Sequence, residues 1–220
     1  MSTPAAEQPP SSRPGGLTRG VIIDACVRIA DTEGPEAVTL RRLGRELGVD
    51  ATAMYRHFRD KDELLTAAAD RLLVEALDGL EATGSLRDAF HSIATHVRRV
   101  YLAHPGLVGL LATAPGPLPS EARATEAGLA ILRSAGLSLP EAVAAFEVLQ
   151  DHLLAITALD AVRRGQSGDA WRAPFTGLSR DEYPNLAEAA PYLYGDLDAR
   201  FHLGLDLLLE AIEARHAARA

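Results

Sequence analysis

Residues 38–61 read VTLRRLGRELGVDATAMYRHFRDK. Leu40, Leu43 and Leu47 recur at helical spacing, which commits one face of a first short helix to a core. Gly48 follows its last turn, where a left-handed residue just beyond the helix is least strained as glycine. Asp50 can cap a second short helix over 51–58, whose buried side is marked by Met54 and Phe58. Thr52, Tyr55, Arg56 and His57 are the polar members left over. Two helices broken at a glycine, the second bearing basic and hydroxyl groups, present a helix to the major groove of DNA. DNA binding is therefore expected, although the formal net charge is -8.

That charge is unevenly spread. Residues 65–220 hold 13 Arg against 20 Asp and Glu, whereas residues 39–61 hold Arg41, Arg42, Arg45, Arg56, Arg59 and Lys61 against Glu46, Asp50 and Asp60. An acidic body with one basic patch disfavours indiscriminate coating of nucleic acid and suits a dimer touching DNA at two small footprints. Lys61 is the chain's only lysine, so charge recognition rests almost wholly on Arg.

The 220 residues are 47% hydrophobic and dominated by Ala and Leu, which predicts an all-α protein with a substantial core. The single Cys26 excludes an internal disulfide framework or a cysteine zinc site and reads as a small core residue. No signal peptide or membrane span stands out, so a cytoplasmic location without membrane contact is expected. Residues 1–16, with four prolines, predict a disordered tail, either inert or bringing Arg13, with Arg19 just beyond, to the DNA backbone. Residues 17–64 then form a three-helix DNA-binding domain, and residues 65–220 a larger helical domain.

Further helices are signposted by their caps. Thr18 and Thr39 open the first two, Asp60 with Glu63 the fourth, and Ser85 with Asp88 the fifth; a short sixth covers 107–112. Ser120 opens a seventh, Ser138-Leu-Pro-Glu141 an eighth that continues to Arg164, and a last helix covers 198–217. Residues 165–197 read as a long loop with one short helix at 185–190. The eighth and last helices carry apolar stripes wider than one core contact requires. Either each is central to its own domain, or a second face is buried against a symmetry mate; the homodimer is the favoured reading.

The segment GVIIDACVRIADTEGPEAVTLRRLGRELGVDATAMYRHFRDKDELLTA resembles the DNA-binding domain of the TetR family of transcriptional regulators. The helix end at Gly34, Thr39-Leu-Arg41, Leu47-Gly48-Val49, Tyr55-x-His57-Phe58 and Lys61-x-x-Leu64 carry the resemblance. Gly136-Leu-Ser-Leu-Pro-Glu141 and Phe201-His-Leu-Gly-Leu-Asp-Leu-Leu-Leu-Glu-Ala-Ile-Glu are similar to the tetracycline-repressor branch, extending coverage to about residues 18–215. In that branch the eighth and tenth helices form a dimeric four-helix bundle. The resemblance places Thr39 and Arg41 at backbone and base contacts, with Arg42 beside them. It puts Thr52 and Ala53 on the recognition helix and Tyr55, His57 and Lys61 at phosphates. Arg56 replaces an aromatic residue, so operator preference should differ. It reaches either a phosphate or a guanine edge, the latter giving ~1–3 kcal/mol of discrimination.

The branch recognises magnesium–tetracycline through two histidines and a glutamine, positions that fall here at Leu77, near Leu111 and at Gly128. An apolar effector is implied instead, with polar contacts drawn from His96, Tyr101, Gln150, His152, Thr157 and Asp160, and neither metal nor other cofactor. No Gly-x-Ser-x-Gly elbow, phosphate loop or His-Glu-x-x-His occurs, and His91 and His96 are not on one helical face, so an enzyme is disfavoured. The expectation is a ligand-responsive repressor on a palindromic operator. A helical adaptor or an activator of the same fold is the alternative.

Overall fold

Capping chemistry places the helices where the sequence signposts them. The computed structural model describes residues 16–80, 84–113, 118–166 and 168–218, and no strand occurs among them. Thr18 accepts from the Val21 N–H and opens α1 (Arg19–Glu33), and Thr39 does the same for Arg42 at the start of α2 (Leu40–Leu47). Gly48 ends α2 in the left-handed conformation at φ 67°, ψ 31°. Asp50 then caps a 3-10 segment, Ala51–Arg56. An α-helix over 51–58 is expected from the sequence; the shorter, tighter form arises because the Ala53 and His57 N–H groups bond three residues back, to Asp50 and Met54. The tail, residues 1–16, lies outside the described residues apart from Gly16.

Asp60 caps α3 (Lys61–Leu77), a helix that runs without a break across the domain boundary expected at 64/65. Glu63 does not close the expected reciprocal box but accepts from the Arg59 N–H at 2.8 Å. Complete boxes form at Ser85–Asp88 and Ser138–Glu141, which start α4 (Leu86–Ala103) and α7 (Leu139–Arg164). Between them lie α5 (Pro105–Thr113) and α6 (Glu121–Ser134). The expected loop after α7 holds two short helices, α8 (Gly168–Arg172) and α9 (Pro184–Ala189), before α10 (Leu197–Ala217).

Two apolar clusters organise these elements. One joins Ile22, Cys26 and Ile29 of α1, Leu43 of α2, Met54, Phe58 and Leu64 to Val97, Tyr101 and Leu107 of α4 and α5. Head and body thus share a core. Burial pushes the Cys26 thiol up to about 12, so it is an inert packing group. The second cluster joins Phe90, Leu132, Leu149, Phe201, Leu205 and Leu209 of α4, α6, α7 and α10. By length and composition α7 could cross a membrane; it packs instead against α4, α5, α6 and α10.

The junction of head and body is close. A Cβ on Gly106 would sit 2.0 Å from the Ala30 carbonyl oxygen, so only glycine lets α5 start against the end of α1. His104 Nδ1 lies 2.7 Å from Asp31 Oδ2 across the same contact.

Candidate nucleic-acid interface and ligand cavity

The turn between α2 and Ala51–Arg56 closes tightly because Gly44 lacks a side chain: a Cβ there would stand 2.8 Å from the Val49 carbonyl oxygen. Met54 and Phe58 are buried, and the opposite side of the segment faces outward. Tyr55 is 60% exposed there, with Arg56 and Thr52 also exposed and Ala53 and His57 half-buried. Thr39 and Arg41 are exposed at the start of α2, and Lys61 is half-buried at the start of α3.

Three basic or hydroxyl groups are less free than the sequence implies. The Arg42 guanidinium binds Glu33 through Nε at 3.0 Å and Glu46 through Nη1 at 2.9 Å, so it braces α1 against α2. Arg19 lies over the Phe58 ring at 4.1 Å and donates to the His57 carbonyl and to Glu63, tying α1 to the recognition segment. The Thr52 hydroxyl donates to Asp50 Oδ1 at 2.6 Å, which leaves only its lone pairs for a partner and holds the Asp50 carboxyl below its usual range. The short polar network around the turn positions Tyr55 and Arg56 by fixing the backbone on either side of them.

In the body, α3, α4, α6 and α7 surround a cavity of about 330 Å³. Leu77, Leu111 and Gly128, the positions at which the branch's drug contacts fall, all line it, beside Phe90, Ile93, Phe146, Leu153 and Leu154. Its polar groups among the described residues are Tyr101, Gln150 and Glu121. Burial pushes the Tyr101 hydroxyl up to about 12, so it stays a neutral donor and acceptor. The edge of the Phe146 ring occupies the space a Cβ on Gly128 would need, at 2.3 Å.

Tyr101 and Gln150 are thus brought together at the cavity, whereas four other expected ligand contacts lie outside its lining. His152 turns towards α10, where its Nε2 is 3.1 Å from the Phe201 carbonyl oxygen and its ring stacks on Phe201. Thr157 and Asp160 lie further along α7, beyond the cavity's end, and both are fully buried. Asp160 gathers three guanidinium groups: Arg98 at 2.9 Å, Arg163 at 3.5 Å and Arg200. His96 is half-buried beside Arg99, with its Nε2 enclosed and unpartnered. Helical periodicity shows which α7 residues share a face but not where the cavity stops. Glu121 was not expected in the lining, because an acid in the first turn of a helix reads as a partner for the helix dipole.

No group of His, Cys, Asp and Glu able to hold a metal ion occurs among the described residues. The long helices also leave apolar side chains uncovered. Val148, Leu159 and Val162 of α7 are 48–57% exposed, and Leu203 and Leu207 of α10 are 59% and 57% exposed.

Relatives share this architecture. An HTH-type transcriptional regulator of Saccharopolyspora erythraea is 29% identical over 201 residues, covering 90% of this chain and 85% of its own. The HTH-type transcriptional repressor DrrR1 of Streptomyces coeruleorubidus is 29% identical over 215 residues, covering 92% and 80%. Apo ActR of Streptomyces coelicolor superposes with a TM-score of 0.80 at 28% identity, over 94% of this chain and all of its own. ActR bound to actinorhodin gives 0.79 at 27%, covering 93% and 99%. BioQ on its double-stranded DNA operator gives 0.67 at 26%, covering 89% and 98%. The family pattern described as "Bacterial regulatory proteins, tetR family" matches residues 22–68, and that described as "Tetracyclin repressor-like, C-terminal domain" matches residues 78–216. The chain belongs to the TetR family of bacterial transcriptional regulators.

Proposed function

We propose that the chain is a homodimeric repressor that grips a palindromic operator and is released when a small, largely apolar effector fills the cavity. It acts by binding rather than catalysis, in the cytoplasm. The observation that carries this reading is the exposed side of Ala51–Arg56, which offers Tyr55 and Arg56 outward from a buried Met54 and Phe58. Residues 17–64 form the DNA-reading head, with Thr39, Arg41, Thr52, Ala53, His57 and Lys61 around Tyr55 and Arg56. Two such heads enter successive major grooves ~34–36 Å apart, or a small multiple of one turn.

Residues 65–220 sense and dimerise. The uncovered leucines and valines of α7 and α10 meet the same face of a second copy and form a four-helix bundle. The effector lies against Leu77 at the end of α3, the helix that begins beside the recognition segment. An effector that binds one head spacing better than the other shifts the equilibrium between them, and a difference of ~1–3 kcal/mol changes operator occupancy markedly. Magnesium–tetracycline is not the effector, since no lining residue among those described supplies an imidazole.

Tyr55→Ala tests the interface. It is expected to abolish the gel shift on the operator while light scattering still reports a dimer. Unchanged operator affinity would overturn the reading.

A further inference from the structure

We propose that the cavity selects a cationic amphiphile, a flat apolar ring system carrying one protonated amine that pairs with Glu121. This rests on the reading of the cavity as the effector site. Among the described lining residues Glu121 alone carries a formal charge; the other polar groups, Tyr101 and Gln150, are neutral. Its carboxylate accepts one long contact, 3.4 Å from the Leu118 N–H, and meets no guanidinium, ammonium or imidazole group among the described residues.

Other carboxylates of the body are better satisfied. Asp70 receives the Ser120 N–H at 2.7 Å and the Ser120 hydroxyl at 3.2 Å, and Asp160 is ringed by arginines. Glu121 is instead one half of an ion pair, set beside an apolar wall that includes Leu77, Phe90 and Phe146. An incoming ammonium gains a charge-assisted hydrogen bond to a half-buried carboxylate beside that wall. A ligand bearing a carboxylate or phosphate meets a like charge and finds no cation in the described wall to offset it.

The position of Glu121 connects it to the head. It opens α6 immediately after Ser120, whose two bonds hold Asp70 in the middle of α3. In the same turn Arg123 donates to the Leu77 carbonyl at the end of α3, at 3.3 Å. A charge neutralised at Glu121 therefore acts beside the bonds that join the ligand-facing helix to the one that begins at the recognition segment.

Three probes sharing one ring test the proposal: 1-naphthylmethylamine, 1-naphthalenemethanol and 1-naphthoate, titrated into the full chain by calorimetry. The amine is expected to bind about tenfold or more tightly than the carboxylate, with the alcohol between them. Glu121→Gln should bring the amine to within about threefold of the alcohol in the same protein. A carboxylate that binds as tightly as the amine, or an amine preference that survives Glu121→Gln, overturns the proposal and leaves the effector site standing. Failure of all three probes to bind protein that still shifts its operator overturns the effector-site reading, and the proposal with it.

Discussion

The head and the far end of the body solve the same folding problem in opposite ways. In the head, Ile22, Leu43, Met54 and Phe58 are buried and the basic groups lie at or near the surface. In the body, Asp160 is fully buried and Arg98 is 4% exposed, while Leu203 and Leu207 stand more than half exposed. The head buries its apolar stripe within this chain, partly against α4 and α5. The body's uncovered stripe implies that its fold is completed by another surface, and its buried charges demand partners wherever they sit. The contrast separates a part shaped to meet a charged polymer from a part shaped to meet a copy of itself.

The largest effect should come from the uncovered stripe. Leu203→Glu with Leu207→Glu places two charges on it and is expected to halve the mass seen by light scattering. Operator affinity should then fall by about 10²-fold or more as the two-headed grip is lost. A dimer that persists would show that another face carries the assembly. The buried charges offer the next test. Asp160→Ala leaves Arg98, Arg163 and Arg200 without their shared carboxylate and should lower unfolding stability by about 3–5 kcal/mol in denaturant titrations. A loss of less than about 1 kcal/mol would mean that water already relieves this cluster, and the contrast with the head would weaken.

The smallest effect concerns acid sensitivity in the head. The Arg59 N–H, followed by the Arg19 guanidinium, holds the Glu63 carboxyl down at about 2, against an ordinary 4.5. Between those values the unfolded chain binds more protons at this site than the folded one. The stability Glu63 supplies is therefore full above the ordinary carboxylate range and is lost as pH falls towards 2. Glu63→Gln should lower the urea midpoint at neutral pH and flatten its decline in acid, the two proteins converging near pH 2. Parallel acid profiles for the two proteins would remove Glu63 as a contributor.

Much of the head was legible because its signals are local. Thr18, Thr39, Asp50 and Asp60 cap where their side-chain oxygens can reach an N–H two or three residues on, and Gly48 ends α2 with the expected positive φ. Gly44 carries no local signal, since its need for a missing side chain arises from a turn that folds back over it. Arg42 has a local partner in Glu46, but Glu33 lies 9 residues from it and Glu63 lies 44 from Arg19, so those pairings arise only from the fold. In the body, the resemblance implies six polar ligand contacts, of which Tyr101 and Gln150 line the cavity and His96, His152, Thr157 and Asp160 do not. His96 sits on α4 beside Arg99 and His152 turns to α10, whereas Thr157 and Asp160 lie beyond the cavity's end. Which side of a helix faces the cavity, and how far the cavity runs, depend on what four helices leave unfilled.

The amino-acid sequence by itself determined the all-helical architecture, the positions of the caps and the helix-turn-helix register. Each follows from apolar period and side-chain hydrogen bonds within a few residues. Only the tertiary structure decided which charges are free. It ties Arg42 and Arg19 into the head's frame, closes Asp160 inside an arginine cluster and leaves Glu121 facing an apolar cavity. The physical reason is range: a cap is closed by its own neighbours, whereas Arg19, Arg98 and Arg200 are paired by whichever helix the packing brings alongside.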